Sequence, residues 1–232
     1  MSVVTPRSEQ TATGPAGRTP PSGGARSRRD DHAESTREAL VASAIALFTE
    51  RGYGRTSLDE ITRRARVTKG ALYHHFSGKQ AVFEAAFDAV ETRVKDRLEA
   101  LLRRPGPPWE RALTSLREFI ASCLDPAYQR IALHEGPVVM GWQRWREAED
   151  HYSLGLIRQS MRDLIDAGEL VDIPVEMTSR LLLGTLCSAA TEIANADDPE
   201  KVATELERAM TGLLDQVRRA SLEARADRPG AD

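Results

Sequence analysis

The sequence predicts an all-α protein, in which a small N-terminal unit of three helices with a helix-turn-helix precedes a larger helical domain. Three observations support this fold class. Apolar residues recur at helical spacing from about residue 36 almost to the end, and no alternating strand pattern appears. Two short helical patterns meet at a tight turn within residues 57–76. Charge is divided, with a net of +5 over residues 1–80 and −8 over residues 81–232, which suits a protein that holds a polyanion at one end.

The overall composition is that of a soluble globular protein. The 232 residues are 41% hydrophobic and 29% charged, and no apolar run approaches the roughly 18 residues of a membrane span. The N-terminus lacks the apolar core of a signal peptide. Two distant cysteines, Cys123 and Cys187, do not form a disulfide framework. We therefore expect a cytoplasmic protein with no membrane partner.

Residues 1–30 are predicted to be a disordered basic tail, because they are rich in Pro, Gly, Ser, Thr and Arg and nearly free of large apolar residues. Five arginines face only two acidic residues, Glu9 and Asp30. The favoured interpretation is a solvated tail. The alternative is an extension that adds phosphate or minor-groove contacts to DNA.

The helix-turn-helix unit is predicted over residues 31–80, and its first helix over about 36–50. Ser35 and Glu38 have the spacing of a capping box, and Gly52 is expected to stop the helix. The apolar stripe of this helix consists of Leu40, Val41, Ala44, Ile45 and Phe48.

Residues 57–76, SLDEITRRARVTKGALYHHF, predict two short helices joined by a turn at Arg66-Val67. Ser57 and Glu60 form a second capping box, and Thr68 can cap the following helix. Small residues at the front of that helix allow close approach to base edges in the major groove. There, a lysine such as Lys69 can donate to guanine, and the Ala71 methyl can contact a thymine methyl. The predicted DNA-binding residues are Ser57, Thr68, Lys69, Gly70, Ala71, Tyr73, His74, His75 and Lys79.

A fourth helix is predicted from Ser77 to about residue 102. Lys79 falls in its first turn, where free backbone N–H groups and the helix dipole favour an anion such as a DNA phosphate. The helix is too long for the small unit alone, so its second half is expected to pack on the C-terminal domain. The run Pro105-Gly106-Pro107-Pro108 ends it.

Residues 36–90 resemble the DNA-binding domain of the tetracycline-repressor (TetR) family of bacterial transcriptional regulators. The matching segments are LFTERGY, TSLDEIT, VTKGALYHHF and the lysine that opens the next helix. The resemblance implies a DNA-binding regulator in which Tyr73, His75 and Lys79 contact the DNA backbone. For His75 the alternative is a structural histidine with no contact to DNA.

Residues 81–226 are predicted to form a helical domain that binds a ligand and dimerises. Helices are expected at 109–124, from Asp125 to about His134, at 142–167, at 175–196 and at 199–224, with an interruption at Gly136-Pro137. The resemblance implies a homodimer through helices 175–196 and 199–222, in which Gly184, Ser188 and Ala189 would allow close approach. The alternative for these helices is a monomer core.

Aromatic and sulfur-containing residues cluster between residues 109 and 165, which suits a largely apolar ligand pocket. For any single residue, core packing is the better interpretation. The predicted ligand-binding residues are Trp109, Phe119, Cys123, Tyr128, His134, Met140, Trp142, Trp145, Tyr152 and Met161.

No catalytic, phosphate-binding or metal-binding motif appears, so neither enzyme activity nor a cofactor or metal is expected. The leading hypothesis is a dimeric repressor that a small, largely apolar effector releases from a pseudo-palindromic DNA operator. The alternatives are a DNA-binding regulator controlled by a partner protein, or without a ligand, and, less favoured, an enzyme with an appended DNA-binding unit.

Overall fold

The computed structural model describes residues 28–226, and within that range it consists of helices, turns and loops without a strand. This confirms the predicted all-α fold class. Ten α-helices and two π-helical segments follow in order: α1 (Arg28–Arg51), α2 (Leu58–Ala65), α3 (Lys69–His75), α4 (Lys79–Leu102), α5 (Pro108–Ser122), π1 (Tyr128–Glu135), α6 (Gly136–Met140), α7 (Trp142–Glu149), π2 (Asp150–Leu154), α8 (Gly155–Asp166), α9 (Val175–Asn195) and α10 (Pro199–Ala226).

In the N-terminal unit α1 packs against α4, and α2 and α3 pack against α1 and against each other. Phe48 and Phe83 are fully buried, and their ring centroids lie 5.4 Å apart in an edge-to-face arrangement. Tyr53 stacks edge-on against Phe83 at 5.3 Å. Ile61 and Leu72 anchor α2 and α3 to this cluster, with exposures of 0% and 1%. Aromatic pairs of this kind contribute stabilisation beyond the burial of their apolar area. The buried aromatic and aliphatic side chains together form a closed core for the unit.

The first helix begins at Arg28, so the expected start at Ser35 is wrong. Ser35 lies inside α1, and the Thr36 hydroxyl donates to the carbonyl of His32 at 2.8 Å, as in a helix interior. The helix extends N-terminally beyond its apolar stripe through polar residues with adequate helix propensity. Because these residues show no apolar periodicity, the sequence pattern did not predict the extension. The predicted tail lies outside the described residues, apart from its last three residues, which are helical.

Gly52 ends α1 as predicted, with a φ of +80° and a backbone N–H that donates to the carbonyl of Phe48 at 2.8 Å. Helix α4 begins at Lys79 and not at Ser77, and its N-cap is Gly78, which has no side chain to accept a hydrogen bond. Lys79 thus occupies the first helical position, in the first turn where the sequence placed it.

The chain stays helical through Gly136-Pro137, so the predicted interruption there is wrong. Segment π1 passes directly into α6, and the helix ends at Gly141, which has a φ of +83°. The wider π turns before Pro137 shift the hydrogen-bond register, and this accommodates the missing proline N–H. Gly136 is needed for packing, because a Cβ there would lie 2.9 Å from Trp145 Cδ1 and 3.1 Å from Phe87 Cε2.

Helices α7, π2 and α8 form one continuous helix that ends where the sequence predicted, at Gly168. This glycine has a φ of +73°, and the next residue, Glu169, donates its N–H to the carbonyl of Leu164 at 2.9 Å, which is a helix C-cap that favours glycine. Helix α9 packs against the α8 and π2 parts of this helix, and α10 packs against α9 and α5. None of the helices within residues 28–226 combines the length and the hydrophobicity that a membrane span requires.

Candidate DNA-binding helices and candidate effector cavity

Local hydrogen bonds fix the turn between α2 and α3. The Ser57 hydroxyl accepts the N–H of Glu60 at 3.3 Å, and the Glu60 carboxylate accepts the N–H of Ser57 at 2.9 Å, which confirms the predicted capping box. Arg66 adopts the left-handed conformation, with a φ of 57°, and its N–H returns to the carbonyls of the last turn of α2. Thr68 then accepts the N–H of Ala71 at 3.2 Å, which confirms it as the cap of α3.

The outer face of α3 is open to solvent. Tyr73 is 59% exposed, and Thr68, Lys69, Gly70 and His74 are exposed as well. Ala71 and His75 are half-buried, and Leu72 turns inward. Seven of the nine predicted DNA-binding residues therefore lie on α3 or at its N-terminal cap, and five of these are exposed. The backbone near Gly70 is accessible.

Both predicted DNA-binding lysines have partners within the unit. Lys69 Nζ lies 2.8 Å from Asp59 Oδ1, and this hydrogen bond, together with the charge of Asp59, raises the pKa of the lysine. Lys79 Nζ lies 4.2 Å from the centroid of the Tyr53 ring, a cation–π contact that holds the ammonium at the start of α4. Ser57 is exposed but serves as the cap of α2.

Polar contacts connect the N-terminal unit to the domain behind it. The carboxylate of Glu135, at the end of π1, accepts the backbone N–H of Tyr53, with 2.9 Å to each oxygen, and also lies 3.3 Å from Arg130 Nε. A second contact joins α7 to α4, where the Arg144 guanidinium donates to the Glu84 carboxylate at 2.6 Å. The turn after α1 is therefore held directly by the C-terminal domain.

A cavity of about 350 Å³ lies in the C-terminal domain, within the range of small-molecule sites. It is bounded by α4, α5 and the helices from α7 to α10. Its wall is mostly aliphatic and includes Leu98 and Leu102 from the end of α4.

Three of the ten predicted ligand-binding residues line this cavity, namely Trp109, Phe119 and Met161. Trp109 and Phe119 lie on α5 and Met161 lies on α8, so their side chains reach the cavity from two sides. Trp109 also carries the Arg218 guanidinium over its ring at 4.9 Å.

The other seven predicted residues do not line the cavity, so the grouping of all ten around one pocket is corrected. Cys123, Tyr128 and Trp145 are buried among core side chains, and Trp145 donates its indole N–H to the carbonyl of Ala132 at 3.0 Å. Trp142 is 65% exposed. The remaining three lie near the surface or against the core: His134, which bonds the carbonyl of Ala194; Tyr152, which donates to Asp88; and Met140. These residues are close in sequence, but the helical periodicity directs their side chains to different faces of the helices.

Glu149 lines the cavity with an exposure of only 4%, and it was not among the residues predicted from the sequence. Burial raises the pKa of this carboxyl to about 7. The carboxyl of Glu91 lies close by, and its pKa is raised by burial and then by the charge of Glu149. Burial also raises the pKa of the Cys187 thiol to about 12, so it is not a reactive thiolate. A glutamate within a charged helical segment gives no sequence signal of burial.

Helices α9 and α10 carry five of the large apolar side chains that are exposed: Met177, Leu181, Leu213, Val217 and Leu222. Ala189, which was expected to allow close approach at this surface, faces inward with an exposure of 5%. Leu183 on the same helix is 2% exposed and lines the cavity. Gly184 has no neighbouring atom within 4 Å of a hypothetical Cβ, so space remains beside it in the single chain.

Comparisons with known proteins support one family. The family model described as bacterial regulatory proteins, tetR family, matches residues 40–86, and the one described as tetracyclin repressor-like, C-terminal domain, matches residues 109–217. The transposon Tn10 TetC protein of Escherichia coli is 27% identical over 177 residues, which span 73% of this chain and 86% of that protein. The HTH-type transcriptional regulator SrpR of Pseudomonas putida is 27% identical over 66% of this chain and 70% of that protein.

The crystal structure of a TetR-family transcriptional regulator from Pectobacterium atrosepticum superposes with a TM-score of 0.73 at 30% sequence identity. The match covers 83% of this chain and 97% of that one, so it includes both the helix-turn-helix unit and the helical C-terminal domain. The chain belongs to the TetR family of DNA-binding transcriptional regulators.

Proposed function

We propose that the protein is a cytoplasmic, dimeric repressor that releases a pseudo-palindromic operator when a small, largely apolar effector fills the cavity. One observation carries this proposal. Helix α4 begins at Lys79 beside the DNA-binding unit and ends at Leu98 and Leu102 in the cavity wall. The effector site and the DNA-binding unit are therefore joined by a single helix. The open cavity favours a small-molecule effector over control by a partner protein alone.

The proposed mechanism uses α4 as a rigid connection. Its 24 residues span about 36 Å at 1.5 Å per residue. A ligand that displaces the end of α4 at Leu98 tilts the helix, and the packed ring of Phe83 transmits this tilt to the DNA-binding unit. The two α3 helices of a dimer must lie about 34–36 Å apart to enter successive major grooves. A few ångströms of extra separation would prevent simultaneous docking.

In this proposal the DNA contacts are divided by chemistry. Lys69 and the small residues Gly70 and Ala71 approach base edges, whereas Lys79, Tyr73, Thr68 and the two histidines contact sugar and phosphate. Ser57 contributes through its cap, which positions α2 and the turn. The exposure of Tyr73 and Lys69 supports these roles, while half-burial of His75 also allows the structural alternative.

The test of DNA binding begins with selection of bound DNA from a random pool. Lys79→Ala should weaken all sequences about equally and lower the salt slope by roughly one unit. Lys69→Ala should also relax sequence preference, by about 1–3 kcal/mol if it contacts guanine. The matched control is Lys95→Ala, since Lys95 lies on α4 about 24 Å beyond Lys79 at 1.5 Å per residue. Wild-type binding by both test variants would refute the assignment.

The dimer is proposed to form through the exposed apolar faces of α9 and α10. Leu213→Glu places a carboxylate where Leu213 is now 67% exposed; in a dimer, that charge would be buried at a cost of several kcal/mol. Sedimentation at micromolar concentration should show a monomer. Val138→Glu is the matched control, because Val138 is 81% exposed but lies on α6. A Leu213→Glu variant that remains dimeric would place the interface elsewhere.

For an effector to release the operator, it must bind more tightly to the dimer whose DNA-binding units are too far apart to dock than to the dimer that fits DNA. Linkage is reciprocal, so operator DNA must weaken effector binding by the same factor by which the effector weakens operator binding. Compounds that release the selected DNA should be titrated with and without that DNA. Equal affinity in both titrations would exclude this mechanism.

A further inference from the structure

The cavity wall contains one carboxyl group whose hydrogen-bonding capacity is not met. Glu149 Oε1 is buried and has no hydrogen-bond partner, while Oε2 lies 3.8 Å from Cys187 Sγ. The rest of the lining is dominated by aliphatic and aromatic side chains, and no lysine, arginine or histidine is among the residues that line it. The cavity is therefore an apolar chamber with a single acidic group in its wall.

A second carboxyl group adds to the negative character of this region. Glu91 is 2% exposed, and its Oε1 also lacks a hydrogen-bond partner. In residues 31–226 no lysine, arginine or histidine forms an ion pair with either glutamate. Apart from the cysteines and Tyr128, the other charged groups acting on the pair are Asp88 of α4, Arg146 of α7 and Asp150 of π2.

Burying a carboxyl group without partners is unfavourable, because the group loses its hydrogen bonds to water and gains none in return. Neutralisation lowers the penalty, and burial accordingly raises the pKa of Glu149 to about 7. A neutral carboxyl still leaves Oε1 without a donor. The group that would satisfy Glu149 best is a cation with N–H donors, since it supplies both the hydrogen bond and the opposite charge.

We propose that the effector is an amphiphilic organic cation, with an amine that ion-pairs with Glu149 and an apolar body that fills the cavity. This proposal rests on the proposed function, because it assigns a chemical class to the same cavity. Ser115 Oγ, which is buried, lacks a partner and lies in the same wall, offers a second hydrogen bond. Leu113, Ile157 and Leu182 provide apolar surface for the body of the ligand.

The competing ligand classes fit less well. A purely apolar molecule fills the volume but leaves Glu149 Oε1 without a donor. A carboxylate would face Glu149 with no basic group in the lining to balance it, and like charges at short range disfavour ionisation. Binding of the cation also releases a proton, because Glu149 must lose its carboxyl proton to solvent when it forms an ion pair with the ammonium.

The test is a displacement assay on the full chain with the uncharged fluorophore N-phenyl-1-naphthylamine in the cavity. Ala112→Phe, which fills the cavity from α5, establishes that the fluorophore reports this site. Decylammonium, decanol and decanoate then compete, because they share one chain and differ only in the head group. We expect decylammonium to displace at roughly tenfold lower concentration than decanol, as a charge-assisted hydrogen bond would give. Decanoate should be weakest.

Glu149→Gln should remove the preference for decylammonium over decanol, with both compounds measured against the variant's own affinity for the fluorophore. Glu147→Gln is the matched control, because Glu147 is an exposed glutamate on the same helix. Displacement by decylammonium at pH 6 should also release a proton in the wild type, detected as a buffer-dependent binding enthalpy, and not in Glu149→Gln.

The outcomes separate this inference from the function on which it rests. Equal displacement by all three compounds in the wild type would overturn the cationic effector and leave an apolar effector site in place. Preference for decanoate would have the same effect. Failure of the fluorophore and of every competitor to bind would overturn the cavity as an effector site, and the cationic effector with it.

Discussion

The DNA-binding unit and the cavity-containing C-terminal domain are built differently, although α4 runs through both. Within residues 31–226, buried side-chain polar atoms without a hydrogen-bond partner occur only from Glu91 onward. Both π-helical segments also lie beyond residue 127. The DNA-binding unit has capped helices and a closed aromatic core, whereas the C-terminal domain has a cavity and unsatisfied carboxyl groups. One region therefore has a fully packed shape, whereas the other leaves open volume and unsatisfied polar atoms in its interior.

Truncation of a large side chain should produce the largest difference between the two regions. Phe48→Ala should destabilise the protein by about 3–5 kcal/mol, because Phe48 is fully buried and packs on Phe83. Phe119→Ala removes the same atoms from a half-buried residue that lines the cavity, and should cost less than about half as much. Urea unfolding measures both, and equal losses would show that the cavity region is packed as tightly as the core.

A pH titration should sharpen the contrast further. Glu149 is protonated to higher pH in the folded state, with a pKa raised from 4.5 to about 7 by burial. Between these pH values the unfolded chain has already lost the proton, so stability falls as pH rises. The difference in unfolding free energy between wild type and Glu149→Gln should change by roughly 2–4 kcal/mol from pH 4.5 to 7.

The matched variant Glu147→Gln should track the wild type across this range, because Glu147 is exposed. If the difference in unfolding free energy between wild type and Glu149→Gln did not change with pH, the Glu149 carboxyl would have the same pKa in the folded and unfolded chains. The two regions would then not differ in buried charge as described.

Two glycines test how closely the helices between the regions are packed. Gly136→Ala should destabilise by about 1–3 kcal/mol, since the new Cβ would lie 2.9 Å from Trp145 Cδ1 and 3.2 Å from the Ile131 carbonyl oxygen. Gly155→Ala should stabilise by about 0.5–1 kcal/mol, because Gly155 is helical and nothing lies within 4 Å. Thermal unfolding distinguishes the signs, and two changes of equal sign would contradict the packing at Gly136.

The smallest effect is expected at the caps. Ser57→Ala should cost about 1 kcal/mol, because it removes the acceptor for the Glu60 N–H and breaks the capping box. Ser77→Ala should be nearly neutral, since Ser77 makes no capping hydrogen bond to α4. Chemical denaturation with DNA binding as a second measurement checks the pair. A neutral Ser57→Ala would show that tertiary packing alone holds α2.

The same contrast explains which features could be predicted from sequence. The Ser57 and Thr68 caps, the turn at Arg66 and the inward Leu72 follow from local rules, and the structure confirms them. The helical start at Arg28 and the continuity through Pro137 do not, because weak propensities and a π-helical register decide them. Tertiary structure alone brings α5, α8 and α9 around the cavity. The composition of residues 109–165 therefore predicted a pocket but identified only three residues of its wall.

The unsatisfied carboxyl groups also have a consequence for the lifetime of the protein in the cell. Glu149 and Glu91 make the empty folded state less stable than a fully satisfied core would be. A ligand present at 100 times its dissociation constant would add about 2.7 kcal/mol to the stability of the fold. Proteases remove unfolded chains, and changes of 1–2 kcal/mol alter abundance several-fold. We therefore expect the copy number of this regulator to rise when its effector is present, which can be measured by immunoblotting after synthesis is stopped.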